Sequence, residues 1–282
     1  MSLGGDEKIT NDPNSDSKDP SSPLAKEIGN LVLRLRGVGS SRVASRLHEL
    51  CDKEIFSKMN ELLSTTRTRS LSHTNESDEM IIAEDSRASV TRKDFKTLDN
   101  RNWLNDQVID YYLGMISDRS EKNSSLPKVY CVSSFFYASI LSHGYKNVKR
   151  WLRKVDLFSF DIVFIPIKDK DHWTLMVVDI AKRKLNYLDS LFLNNLAPAM
   201  TIKDFLIDYA KEKDTDVNVT EWEIIVVYDV PGQANSNDCG VFICQYVEYL
   251  SRKASIDFAQ ADAQALRKKM AYEIYTHKLL EI

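Results

Sequence analysis

One cysteine stands where a polar loop meets an apolar run: "PGQANSNDCGVFICQYVEYL", residues 231–250. Val241, Phe242, Ile243, Val247 and Leu250 recur at helical spacing, which predicts a largely buried helix starting at Cys239, with Asp238 or Asn237 as its cap. A sulfur in the first turn of a helix faces unpaired backbone amides and the positive end of the dipole, both of which favour thiolate. Gly240 removes a side chain beside it and lets another backbone approach closely. Cys239 is therefore the candidate nucleophile. Cys244 lies deep on the apolar face and reads as structural, as does Cys131. Cys51 and His48 read as packing or surface residues.

A thiolate nucleophile needs a base, and the base needs an orienting partner. His172 opens the strand-like run "HWTLMVVDI" and Asp189 ends "KLNYLDS". An antiparallel hairpin with His172 opposite Asp189 centres its turn between Ile180 and Ala181, a common loop length. That register sets imidazole and carboxylate side by side on one face. Gln233, six residues before Cys239, offers an amide N–H to an oxyanion, and the backbone N–H of Cys239 offers a second. The chemistry these types perform together is thiol acyl transfer.

The elements that must hold these groups follow from the pattern. "DIVFIPI", "HWTLMVVDI", "KLNYLDS" and "EIIVVYDV" read as strands, and "SSFFYASIL", "IKDFLIDYAKEK", "CGVFICQYVEYL" and a closing segment read as helices. Thr91 to Asp94 is a Thr-x-x-acid helix start leading into "FKTLDNRNWLNDQVIDYYLGMI". Met80–Asp85, "MIIAED", reads as the first strand of the domain. Strands in succession between helical blocks indicate α+β. Residues 1–84 are assigned to an N-terminal extension, polar to about residue 22, helical over about 23–63, then a linker that contains His73. Residues 85–282 form the catalytic domain.

Composition narrows the function classes. Of 282 residues, 43% are hydrophobic, enough for one large core. The net charge of −3 gives no global field for nucleic acid or a membrane surface, and no apolar run reaches a membrane-spanning length. The four cysteines form no CxxC pair or disulfide framework, which indicates a reducing compartment. Histidines and cysteines lack metal-ligand spacing, so neither a metal nor a cofactor is expected.

"HWTLMVVDI…LDS…GQANSNDCGVF" resembles the signature of the ubiquitin-like-protein-specific cysteine proteases, the SUMO (sentrin) protease family. The likeness extends through "VTRKDFKTLDNRNWLNDQVIDYYLGMI", "SSFFYASIL" and "RKVDLFSFDIVFIPI", about residues 85–282. It implies a papain-like α+β fold, a central mixed sheet flanked by helices, with the triad His172, Asp189, Cys239 in that order and Gln233 in the oxyanion hole. It further implies that Trp103 and Trp173 cover a narrow channel for a Gly-Gly terminus, and that Asp106 pairs with a basic residue on the substrate's folded surface. The implied partners are SUMO precursor and SUMO-conjugated proteins, with no nucleic acid or membrane, and the implied enzyme is a monomer of the nucleus and/or cytoplasm. The alternatives are a protease for NEDD8 or another ubiquitin-like modifier, and a non-catalytic SUMO-binding module. Two departures stand out: Asn237 where the family often has an aromatic, and the charged run "KDKD" before His172.

Overall fold

The computed structural model of the chain describes residues 42–64 and 78–280, all within one compact unit, Gly39–Ile282. The expectations for residues 1–41 and for the linker at 65–77, with His73, lie outside the described residues. At the centre is a mixed sheet of five strands: β3 (Val129–Cys131), β4 (Ile162–Asp169), β5 (His172–Asp179), β6 (Lys184–Leu188) and β7 (Glu223–Val226), in that spatial order. The outer pairs are parallel and the inner pairs antiparallel. A separate hairpin joins β1 (Ile81–Glu84) to β2 (Ser89–Thr91).

The strands are apolar on both faces because both are covered, and the period of two decides which residue goes where. Trp173, Leu175 and Val177 of β5 enter one core with α4 (Asp106–Lys122), α7 (Cys239–Ser251) and α8 (Ala263–Thr276). Met176 and Val178 enter the other, with α5 (Phe135–Val148) and α6 (Ala197–Glu212). Helix α7 is apolar nearly all round and is enclosed along its length, as such a helix must be. Burial opposes the charge of its Glu248, but Lys269, with Arg252 at 2.9 Å and Arg119 at 2.9 Å, holds that carboxyl below its ordinary value.

Helices α1 (Arg42–Leu50) and α2 (Lys53–Ser64) place Val43, Leu47, Met59 and Leu63 in the same core as Met270 and Ile274 of α8. Residues read from sequence as part of an extension thus brace the helix that lies behind the loop before Cys239.

Three local outcomes position the site. The Thr91 start signal forms a capping box, with the Asp94 N–H donating to Thr91 Oγ1 at 3.3 Å and the Thr91 N–H to Asp94 Oδ2 at 2.9 Å. The helix it starts, α3, stops at Phe95, and after a short 3-10 turn and Arg101 at φ 70° the chain runs extended to Asn105. Asn105 then caps α4 through Val108 N–H, so Trp103 stands outside any helix. The β5–β6 hairpin pairs Leu175 with Leu188 and Asp179 with Lys184, two residues away from the expected register. A shift of two preserves the face, so His172 and Asp189 become diagonal rather than direct neighbours and still meet. Strand β3, three residues long, has no readable period and was not anticipated.

Candidate active site

Three distant segments converge at the start of α7. His172 is the first residue of β5, Asp189 follows β6 and Cys239 opens the helix. His172 Nε2 lies 2.6 Å from Asp189 Oδ1. With Nε2 taken by Asp189, Nδ1 is the ring nitrogen left for the Cys239 side chain, the other group that favours imidazolium. Asp189 is buried, and it accepts the Leu191 N–H at 2.8 Å and the Leu193 N–H at 2.9 Å. Burial works against its charge, but His172 and these two amides prevail and hold the carboxyl below its ordinary value. Burial likewise disfavours imidazolium, yet Asp189 and the Cys239 sulfur outweigh it and hold His172 up to about 9 from a usual 6.5.

The sign of the pH dependence follows. A histidine raised in the folded state contributes stability fully below about pH 6.5 and loses it as pH rises through about 9. If the imidazolium supplies a proton during turnover, the kcat/KM profile should fall on the alkaline side near pH 9. In Asp189→Asn the opposing effect of burial is less well countered, so that limb should move to lower pH. A limb in the same place in both proteins would show that Asp189 does not tune His172.

Asp238 occupies the cap position of α7, but its side chain makes no capping bond, contrary to the expectation. Its carboxylate is turned to Arg267 instead, which donates from Nε at 2.9 Å and lies at 2.8 Å from Nη2. Arg267 is 1% exposed, and a buried guanidinium requires a carboxylate and several carbonyls. It finds them at Asp238, Thr97, Asp99, Asn102 and Asn237. One side chain thereby ties the residue before Trp103 to the two residues before Cys239. Nothing at 267 but an arginine beside Leu266 and Met270 on a buried face signals this in the sequence.

Gly240 is where α7 meets the extended segment: a Cβ there would lie 2.9 Å from Leu104 Cβ. The close neighbour is the Leu104 side chain rather than the expected backbone, because its branched end fills the space beside the helix. Leu104 also accepts the Trp173 indole N–H at 3.1 Å. Trp173 is 2% exposed with Lys168 Nζ 5.3 Å over its ring, whereas Trp103 is 47% exposed. Trp103, His172, Asp189, Tyr187, Leu193 and Ser236 are among the residues around a cleft of about 440 Å³. Asp106 is the first residue of α4, half-buried. Gln233 is buried in the loop before Cys239, with Ser190 Oγ donating to its Oε1 at 2.6 Å and its Nε2 donating to Asn235 O at 2.6 Å. One amide hydrogen of Gln233 remains to be given.

Among the described residues no group of three or more His, Cys, Asp and Glu side chains is placed to hold a metal ion, and no helix is long and apolar enough to cross a membrane.

Residues 102–281 match the family model described as the Ulp1 protease family, C-terminal catalytic domain. The chain belongs to the Ulp1 protease family. Its relatives include a sentrin-specific protease of Caenorhabditis elegans, 42% identical over 192 residues, which are 68% of this chain and 28% of that protein. Sentrin-specific protease 2 of Rattus norvegicus is 40% identical over 194 residues, 68% of this chain and 33% of the relative. This Ulp1-family chain therefore spans about a third or less of the length of these relatives. Among solved structures, it is similar to the C-terminal Ulp1 protease domain in complex with SMT3, the yeast ortholog of SUMO. The TM-score is 0.67 at 28% identity, over 80% of this chain and 96% of that one. The fold is the papain-like α+β arrangement expected from the sequence, a mixed five-stranded sheet between helices.

Proposed function

We propose that the chain is a SUMO-specific cysteine endopeptidase and isopeptidase that cuts after a C-terminal Gly-Gly. The observation that carries this reading is the His172 ring held by Asp189 at 2.6 Å beside Cys239 at the start of an apolar helix, inside a family-matching domain.

The chemistry follows from that order of contacts. His172 takes the proton of Cys239, and the thiolate adds to the carbonyl carbon of the last glycine. The oxyanion receives the free amide hydrogen of Gln233 and the backbone N–H of Cys239. As the carbonyl re-forms, the C–N bond breaks and His172 gives its proton to the departing nitrogen, leaving a thioester. His172 then takes a proton from water, hydroxide adds to the thioester, and loss of the thiolate frees the carboxylate product. The leaving nitrogen belongs to a peptide extension or to a lysine side chain, which makes precursor maturation and deconjugation the same reaction.

Trp103 is assigned to one wall of the diglycine channel. Its exposed ring admits a strand of two glycines and excludes larger side chains. Trp173 is assigned to the other wall; the tail would lie where the Lys168 ammonium now covers its ring. Asp106 would meet a basic residue on the folded face of the modifier. The family likeness carries the remaining assignments, a monomer acting on SUMO precursor and conjugates in the nucleus and/or cytoplasm.

The test is turnover of C-terminal fluorogenic derivatives of SUMO, NEDD8 and ubiquitin at equal concentration. SUMO should be preferred at least about tenfold, a 1.4 kcal/mol difference in transition-state binding. Preference for NEDD8 would keep the chemistry and change the modifier; no turnover of any of the three would leave a binding module.

A further inference from the structure

The oxyanion donor assigned above is a flexible glutamine on a loop, and the loop has no secondary structure to hold it. What holds it is Asn235. This residue is exposed, yet its side chain and carbonyl take part in four hydrogen bonds within the segment from Gln233 to Asp238. Its Oδ1 accepts the backbone N–H of Asn237 at 3.2 Å and of Asp238 at 3.1 Å. Its Nδ2 donates to Asp238 Oδ2 at 2.7 Å. Its backbone carbonyl accepts Gln233 Nε2 at 2.6 Å.

The pattern has a direction. An asparagine oxygen bonded to amides two and three residues ahead closes the backbone into a tight turn and fixes the orientation of the Asn235 carbonyl. That carbonyl takes one hydrogen of the Gln233 amide, while Ser190 Oγ fixes the amide oxygen from the other end. The second hydrogen then has one direction available. Behind the turn, the Asp238 carboxylate that receives Asn235 Nδ2 is itself clamped by Arg267 and by Gln260 Nε2 at 2.8 Å. Gln260 also accepts the Ala234 N–H at 2.7 Å, so both ends of the turn are tied to one frame.

From this we infer that Asn235 is a positioning residue, which presets the side-chain amide of Gln233 for the oxyanion and acts only through it. The inference rests on the reading of Gln233 as the oxyanion donor. An exposed asparagine contributes little to the core, so Asn235→Ala should fold with a melting temperature close to that of the parent. Its effect should fall on kcat, because the oxyanion exists only in the transition state and not in the bound ground state.

The experiment is a double-mutant cycle of Asn235→Ala and Gln233→Ala on the SUMO fluorogenic substrate, with each protein normalised to its folded fraction. Losing an oxyanion donor costs about 10²–10³ in kcat, so Gln233→Ala should fall in that range and Asn235→Ala should lose about 10- to 100-fold, with KM within about twofold. In the Gln233→Ala background, Asn235→Ala should cost less than about twofold more. Equal losses in both backgrounds, or a single variant within twofold of the parent, would overturn the inference. A parent that turns over no substrate would instead defeat the proposed function. The inference would then be read from the Gln233 side-chain amide resonances of ¹⁵N-labelled protein. These should move to solvent-like positions in Asn235→Ala; unchanged resonances would overturn it.

Discussion

Cys239→Ser should abolish turnover of a SUMO C-terminal substrate, with kcat down by about 10⁴ or more, while the protein stays folded. Both parts of that expectation have structural reasons. Cys239 is 1% exposed at the first position of α7, and a slightly smaller hydroxyl fits the same enclosed space. Neither the Leu104–Gly240 contact nor the Arg267 clamp involves the sulfur. A hydroxyl is, however, far harder to ionise than a thiol, so the serine oxygen is a much weaker nucleophile at neutral pH. Steady-state kinetics read the loss, and thermal unfolding should change by only a few degrees. Parent-like turnover in the serine variant would remove Cys239 from the reaction.

His172→Ala should lower kcat by about 10²–10⁴, the range for removal of a general acid–base. It should also lower stability, because Asp189 is buried and loses the cation that helps hold its charge. The Leu191 and Leu193 amides remain as its partners, so the protein should still fold. The two losses are not independent. Because base and nucleophile act as a unit, the double variant His172→Ala with Cys239→Ser should be no slower than Cys239→Ser alone. A further large loss in the double variant would mean that His172 does something other than serve that sulfur.

His172, Asp189 and Cys239 stand out in the sequence because each sits at the end of an element with a strong pattern. Cys239 opens an apolar helix, while His172 and Asp189 bound two strands rich in branched and aromatic residues. The hairpin register lies two residues from the one the sequence predicts, yet a shift of two keeps each side chain on its face, so imidazole and carboxylate still pair. What escaped were the interactions that local pattern does not encode. Asp238 was read as a helix cap because caps are local, but a buried guanidinium from residue 267 takes its carboxylate. The enclosure of Trp173 under Leu104 and Lys168 depends on a segment 69 residues away. Asn235 looked like one more polar loop residue, and only the mutual placement of Gln233, Asn235 and Asp238 distinguishes it. The cap at Asn105 and the break in the preceding helix at Phe95 likewise show how a seemingly continuous helical text is cut so that Trp103 can reach the cleft.

The central claim is that a single sulfur of four is the nucleophile for a diglycine carbonyl. Burial pushes the Cys51 thiol up to about 11 and the Cys131 thiol up to about 12, and it raises Cys244 as well, so all three stay protonated at neutral pH. The direct measurement is reaction of the full chain with SUMO bearing a C-terminal vinyl sulfone, followed by mass mapping of the modified peptide. One SUMO should be attached, through Cys239, and none in Cys239→Ser. A SUMO adduct on Cys51, Cys131 or Cys244, or no adduct on the parent chain, would contradict the account.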